Sequence, residues 1–202
     1  MPTTALVLYL VFVLTGFALR GVVQYRRTGS AGFLGMTGKP GSAESWGGVL
    51  FAAGVLLGLL GPSLQLAGVV SPLAEAAWLH VAGLLLAVAG IAGTLAAQHE
   101  MGASWRVGVD PGERTELVTT GMFALARNPI FTTTLTAALG LTLLALNPLS
   151  VLGLLALFTG VQLQVRLVEE PHLTAIHGSA YRTYAARVGR FLPIVGRIPE
   201  SR

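Results

Sequence analysis

The chain has 202 residues, of which 53% are hydrophobic and only 11% are charged, with a formal net charge of +4. Soluble domains usually carry about 25% charged residues, so this composition argues against a soluble protein and indicates one that crosses a membrane. The chain has no cysteine, which excludes disulfides, thiolate metal sites and cysteine nucleophiles. Its basic residues do not gather in one patch, so we expect no nucleic-acid partner.

Five charge-free apolar stretches predict membrane-spanning helices, because a span needs roughly 20 such residues. In chain order they are Ala5–Leu19, Trp46–Val70, Ala76–Ala97, Ile130–Leu146 and Leu149–Val165. The first reaches full length if Arg20 snorkels, and Gly61-Pro62 is expected to end or kink the second. Asn147-Pro148 predicts a tight turn, so that the last two stretches form an antiparallel hairpin. Each of these two is slightly short, which favours a tilted hairpin or a locally thin bilayer.

The basic residues predict the orientation of these spans. All 13 Lys and Arg residues fall in Arg20–Lys39, Arg106–Arg127, Arg166 and Arg182–Arg202. Segments 61–75 and 147–148 contain none. By the positive-inside rule, the N-terminus is outside, and the C-terminus and both basic loops are cytoplasmic. We therefore expect an all-α integral protein of the cell membrane, with residues 1–202 as one domain and any site built from polar segments 98–128 and 166–202.

The C-terminal segment predicts two short helices, one after Pro171 and one after a break at Gly178. An apolar and aromatic stripe follows both. Its members are Leu173, Ile176, Tyr181, Tyr184 and Val188. This pattern favours a helical segment at the bilayer interface, with the tyrosine rings at headgroup level.

Polar residues lie at the ends of the predicted spans. Glu169 and Glu170 follow the fifth stretch, where they either face water or hold a cationic cofactor or a polar substrate group. Arg127 alone is more typical of a positive-inside anchor than of a catalytic group. Asn128 and Pro129 predict a helix start, with Asn128 as the N-cap that satisfies free amides. A helix start can also bind a carboxylate.

Other patterns exclude common chemistries. The four histidines form no convincing metal set, since His172 and His177 are five residues apart, and we predict no metal. No GxGxxG, Walker A or GxSxG sequence is present, so a nucleotide-binding α/β domain is excluded. A charged and aromatic interfacial belt is predicted where the third span ends. Its members are His99, Glu100, Trp105 and Arg106.

Two segments carry a more specific signal. The segment LVTTGMFALARNPIF, residues 117–131, and the segment EEPHLTAIHGSAYRTYAARVGRFLP, residues 169–193, flank the predicted hairpin. They are similar to the patterns G-x-[YF]-x-x-x-R-H-P-x-Y and E-E-x-x-L-x-x-x-F-G-x-x-Y-x-x-Y-x-x-x-V-x-R-[FW]-x-P. In this order, they resemble the isoprenylcysteine carboxyl methyltransferase family, within the wider group that includes phospholipid methyltransferases. The resemblance covers roughly residues 76–195, so 1–75 hold N-terminal spans and 76–202 the family-like core.

The resemblance implies a membrane methyltransferase that binds S-adenosylmethionine on the cytoplasmic side and receives a lipophilic acceptor from the bilayer. The implied cofactor-binding residues are Val118, Gly121, Arg127, Asn128, Pro129, Glu169, Tyr181, Tyr184 and Arg190, with Pro193 in a lid-like tail. The implied catalytic residues are Glu170, Arg127 and Glu169. A carboxylate acceptor would need only orientation, by Arg127 or Arg190, whereas an amine, phenol or thiol would need a base, Glu169 or Glu170.

Three residues depart from the family pattern. Asn128 replaces its His, Phe131 its Tyr, and His177 its Phe. Asn cannot carry a proton at neutral pH, so acid–base work at this position is not expected. Two alternatives stay open: a nicotinamide-dependent reductase on a related scaffold, and a non-enzymatic membrane protein that retains the scaffold. The sequence names neither the acceptor nor the oligomeric state, and Gly54 and Gly58 predict close helix packing within the bundle or between copies.

Overall fold

The structure is a computed structural model that describes residues 1–32, 38–105 and 116–199. Its main helices are α1 (Pro2–Thr28), α2 (Ala43–Leu66), α3 (Ala77–Met101), α4 (Pro129–Leu144), α5 (Pro148–His177) and α6 (Ser179–Arg187). Four of them, α1, α2, α3 and α5, are long and apolar enough to cross a membrane. The shorter α4 is also apolar, so the predicted all-α membrane fold is confirmed. Arg106, predicted for the interfacial belt, lies outside the described residues.

Helix α2 contradicts the prediction that it ends at Gly61-Pro62, because it continues through both residues to Leu66. Gly61 is buried, and a Cβ added there would lie 3.0 Å from the backbone nitrogen of Ser150 on α5. The absence of a side chain thus lets α5 pack directly against this turn. Such packing supports a helix through a proline, which by itself only removes one hydrogen bond and crowds the preceding turn.

Helix α5 is also longer than predicted. It runs from Pro148 to His177, so the predicted helix after Pro171 is present as the last α-helical part of α5, Glu170–His177, and is not separate from the span. A wide π-helical turn, Gln164–Glu169, lies just before this proline and accommodates its ring inside the helix. At 1.5 Å per residue, α5 is about 45 Å long, more than the roughly 30 Å hydrocarbon layer. Unlike the 16-residue α4, it is therefore not short for a span.

Glycines bring the helices together in pairs, α3 on α4 and α2 on α5. Gly83 and Gly140 lie at the α3–α4 contact, where a Cβ on Gly83 would be 2.8 Å from the carbonyl oxygen of Gly140. At the α2–α5 contact, a Cβ on Gly54 would be 2.7 Å from the backbone nitrogen of Leu157. Gly58 faces the ring of Tyr9. Gly54 and Gly58 thus pack within the bundle, as small residues do between membrane helices.

The hairpin turn defines one end of the bundle. Asn147 is the N-cap of α5, where its side chain accepts a hydrogen bond from the Ser150 amide at 3.0 Å, which confirms the predicted turn. Its amide nitrogen donates to Gln65 Oε1 at 2.8 Å, and the Leu73 amide donates to the Leu146 carbonyl at 2.8 Å. Segment 61–75 therefore meets the hairpin turn. The motif segments lie at the other end.

Candidate active site

A buried carboxylate joins the two motif segments. Glu170, near the end of α5, accepts hydrogen bonds from two guanidinium groups. Arg127 Nη2 lies 2.6 Å from Glu170 Oε1, whereas Arg190 donates through Nε to Oε1 at 2.7 Å and through Nη2 to Oε2 at 2.9 Å. Glu170 is 8% exposed. Charge-assisted, bidentate pairs of this kind are strong and directional, so Glu170 fixes the position of both arginines.

The other Nη hydrogen bonds of Arg127 go to the backbone of the C-terminal segment. Its Nη1 donates to the carbonyls of Ala185 at 3.0 Å and Val188 at 2.6 Å, and its Nη2 donates to that of Gly196 at 3.1 Å. The residue is buried, at 6% exposure. Arg127 is therefore not a charge at the protein surface. The many acceptors offered by the folded C-terminal segment draw this side chain into the protein.

The backbones of the two segments also pair. Ala126 and Gly189 form a parallel bridge, and the Arg127 amide donates to the Gly189 carbonyl at 2.8 Å. The Asn128 amide donates to the Arg190 carbonyl at 3.1 Å, and its side-chain nitrogen donates to the same oxygen at 3.0 Å. Asn128 does occupy the N-cap position of α4, before Pro129. Its side-chain oxygen accepts no capping bond, however, so that part of the prediction is wrong: the side chain is instead oriented by its nitrogen, which donates to the Arg190 carbonyl.

The two tyrosines of the C-terminal segment are buried inside the protein. The prediction that their rings lie among lipid headgroups is therefore wrong. Tyr181 and Tyr184 are 2% and 9% exposed, and their rings pack edge to face with centroids 6.2 Å apart. Tyr184 donates its hydroxyl to the Phe123 carbonyl at 2.6 Å. Burial raises the pKa of Tyr184, and burial together with the Glu170 carboxylate raises the pKa of Tyr181 to about 12. Both phenols therefore stay neutral, and the apolar stripe packs against the first motif.

Glu100 belongs to this region although the sequence pointed only to an interfacial belt. The Met122 amide donates to Glu100 Oε2 at 2.7 Å, which joins the end of α3 to the turn at Gly121. Gly121 has φ +58, and a Cβ there would lie 2.5 Å from the same carboxylate oxygen. Only glycine fits both the backbone conformation and the space. A helix-end carboxylate and a distant glycine turn share no sequence signal, so this contact depends on the tertiary fold.

The rest of the predicted belt is divided between surface and interior. His99 is exposed, as predicted. Trp105 is 2% exposed, and the Arg20 guanidinium carbon lies 4.9 Å from its ring centroid. Arg20 also donates to the Gly102 carbonyl at 2.5 Å. Arg20 is thus buried and does not snorkel to the surface, because a cation–π contact and a carbonyl hold it against the end of α3.

The structure brings most of the predicted site residues to one end of the bundle. Arg127, Glu170 and Arg190 contact one another, and Asn128, Tyr181 and Tyr184 are joined to the same two segments. Pro129 is buried, and Val118 and Glu169 are half-buried, whereas Gly121 and Pro193 are exposed. The ring of Phe131 packs edge to face on that of Phe51, with centroids 6.5 Å apart.

Comparison with known proteins relates this chain to membrane methyltransferases. The profile of the phospholipid methyltransferase family matches residues 78–180, just over half of the chain, so the chain belongs to this family. The chain is also similar to the solved structure of the eukaryotic intramembrane Ras methyltransferase ICMT (isoprenylcysteine carboxyl methyltransferase), with a TM-score of 0.61 and 19% identity. That similarity covers 94% of this chain and 64% of the other. A search of functionally curated proteins gives no significant match.

Proposed function

We propose that this protein transfers a methyl group from S-adenosylmethionine to a lipophilic acceptor that partitions into the membrane. One observation carries the proposal: the two motif segments fold onto each other around Glu170, beside the first turn of α4. Methyl transfer is a direct displacement, for which orientation and exclusion of water matter more than proton transfer. A polar site at the end of an apolar helix bundle suits both conditions.

In this proposal, Arg127, Glu170 and Arg190 position the site. Both carboxylate oxygens of Glu170 are taken by guanidinium donors, so a proton from the acceptor would have to displace one of them. The two arginines are likewise committed and would have to leave Glu170 before they could orient an acceptor carboxylate. Glu169, which is half-buried beside Glu170 in the chain, is the other candidate base for an amine, thiol or hydroxyl acceptor. A carboxylate acceptor would need none.

The remaining predicted residues fit a cofactor of this kind. The Gly121 turn is exposed and can be reached by a ligand, and Val118 and Pro129 belong to the same motif segment. Within the described part of the chain, Oδ1 of Asn128 accepts no hydrogen bond, and Nε of Arg127 is buried without a partner. Together with the carboxylate of Glu169, these atoms could hold the amino, hydroxyl and carboxylate groups of the cofactor. The rings of Tyr181 and Tyr184 would belong to the lid-like C-terminal segment. Bound there, S-adenosylmethionine would supply the sulfonium methyl group.

The site end of the bundle is proposed to face the cytoplasm, with the N-terminus outside. The basic residues that the structure describes support this orientation. Arg20, Arg127, Arg166, Arg190 and Arg197 all belong to segments at the site end, whereas segment 61–75 at the other end has none. Positive charge favours the cytoplasmic side of membrane proteins. The acceptor would then enter from the bilayer and the cofactor from the cytoplasm.

Calorimetric titration with S-adenosylhomocysteine tests the proposal on protein purified in detergent. We expect saturable binding by the wild type, weaker binding by Glu169→Gln and by Asn128→Ala, and unchanged binding by the control Glu75→Gln. Glu75 is an exposed carboxylate in the loop at the opposite end of the bundle. Absence of binding by folded wild-type protein would refute the proposed cofactor. Equal weakening in all three variants would refute the proposed site.

A further inference from the structure

The C-terminal segment ends in an exposed apolar loop, of which the predicted site includes only Pro193. We call Leu192, Pro193, Ile194 and Val195 the apolar tip. Leu192, Ile194 and Val195 are 55%, 66% and 62% exposed. Three large aliphatic side chains that are exposed within four residues form a contiguous apolar patch, which marks a surface that contacts something apolar.

The apolar tip lies in a loop with an unusual backbone geometry. The Arg190 amide donates to the Val195 carbonyl at 2.7 Å, which closes the loop. Ile194 has φ +74, and it is the only residue other than glycine with positive φ in the described part of the chain. This conformation is unfavourable for a β-branched side chain, and glycine would adopt it freely. An isoleucine at this strained position is consistent with a use for its apolar side chain.

The position of the loop points to the lipid bilayer as that use. Thr132, in the first turn of α4, donates its hydroxyl to the carbonyl of Phe191 at 2.7 Å, so the apolar tip follows directly on a contact with this helix. Helix α4 has only 16 residues, about 24 Å, and is shorter than the hydrocarbon layer of roughly 30 Å. Its first turn therefore lies close to the acyl chains. Arg187 and Arg197, both exposed, flank the tip and suit anionic headgroups.

We propose that the apolar tip inserts into the bilayer leaflet at the site end, beside the first turn of α4, and contacts lipid acyl chains. The same loop supplies the Gly189, Arg190 and Gly196 carbonyls that accept hydrogen bonds from the first motif segment. Insertion would thus anchor the C-terminal segment in the membrane while its inner side closes on Arg127 and Asn128. The inference stands whether or not the proposed cofactor binds.

The absence of cysteine allows a direct test with single-cysteine variants of the full chain. Leu192→Cys and Val195→Cys are labelled with an environment-sensitive nitrobenzoxadiazole dye and reconstituted into phosphatidylcholine–phosphatidylglycerol vesicles. Leu155→Cys, at an exposed apolar position of α5, serves as the lipid-facing control, and the exposed Ser179→Cys serves as the polar control. Two vesicle preparations are compared, one with a lipid nitroxide near the glycerol end of the acyl chain and one with a nitroxide near its middle. Each nitroxide quenches dyes at its own depth in the bilayer.

We expect blue-shifted emission from the labels at 192 and 195, with stronger quenching by the nitroxide near the glycerol end than by the one in mid-chain. The label at 155 should be quenched by lipid nitroxides and the label at 179 only weakly. Labels at 192 and 195 that match the one at 179 would overturn the proposal. Blue-shifted labels that no lipid nitroxide quenches would also overturn it, because they would place the tip against protein, for example a second copy.

Discussion

Replacing Arg127 should release the C-terminal segment while the membrane helices stay folded. The side chain donates four hydrogen bonds, one to Glu170 and three to the carbonyls of Ala185, Val188 and Gly196. A hydrogen bond that involves a charged group contributes about 1.5–3 kcal/mol, but such values are not additive within one network. Removal of one partner from a buried ion pair typically costs about 3–5 kcal/mol. We therefore expect Arg127→Ala to lower the free energy of opening of this segment by about 3 kcal/mol or more.

Hydrogen–deuterium exchange measures this opening directly. Where exchange reports the opening equilibrium, a loss of 3 kcal/mol corresponds to a fall in amide protection of roughly 150-fold. We expect this fall over α6, with little change over α3 and α4. Arg127→Lys keeps the charge but donates from a single nitrogen, so an intermediate loss is expected. Arg182→Ala, at an exposed position of α6, is the matched control.

Two results would contradict this reasoning. A fall in α6 protection of less than about 5-fold in Arg127→Ala, or about 1 kcal/mol, would show that the arginine does not hold the segment. An equal fall over α3, α4 and α6 would show that Arg127 supports the whole bundle instead of joining one segment to it.

Three further predictions follow from other contacts. Gly140→Leu should force α4 away from the backbone of Ala87 and lower the free energy of unfolding by about 1–3 kcal/mol. The unfolding temperature in detergent should fall, and an unchanged temperature would contradict the close packing. Glu100→Ala should weaken S-adenosylhomocysteine binding in a titration, because the Met122 amide loses its acceptor. Glu100→Gln keeps an acceptor oxygen and should bind nearly as tightly as the wild type. The pKa of Tyr181 is raised to about 12 in the folded protein, above the ordinary value of about 10. The neutral phenol therefore stabilises the fold fully below about pH 10, and this contribution is lost as the pH rises toward 12. Tyr181→Phe should therefore flatten the pH dependence of the unfolding temperature in that range, and an unchanged slope would refute the assignment.

Local sequence rules predicted the architecture well because each rule acts on neighbouring residues. Charge-free runs of spanning length define the apolar helices whatever they pack against, since a bilayer demands internal backbone hydrogen bonding. The same holds for the turn at Asn147 and the break at Gly178, both of which are confirmed. The local rules failed where they placed a helix end at a proline. Pro62 and Pro171 lie inside continuous helices, where packing against α5 and a π-helical turn, respectively, accommodate them.

The two motifs predicted which residues belong to the site region, but not what their side chains do there. Asn128 has the position of an N-cap, yet its donor goes to Arg190, more than sixty residues further on. Tyr181 and Tyr184 have the spacing of an interfacial stripe, yet the first motif segment covers them. An amphipathic helix shows one apolar face whether lipid or protein contacts it, so the pattern could not tell these two surroundings apart.

The sequence by itself determined that this chain is a helical membrane protein, where its spans lie and to which methyltransferase family it belongs. These properties follow from composition, hydrophobic length and the types of residue at fixed local spacing. The tertiary structure alone decided that Arg127 and Arg190 share Glu170, that Glu100 supports the Gly121 turn, and that the apolar tip is left exposed. Each of these depends on how segments distant in the chain dock, and the partner of a buried charge is set by the acceptors that docking brings within reach.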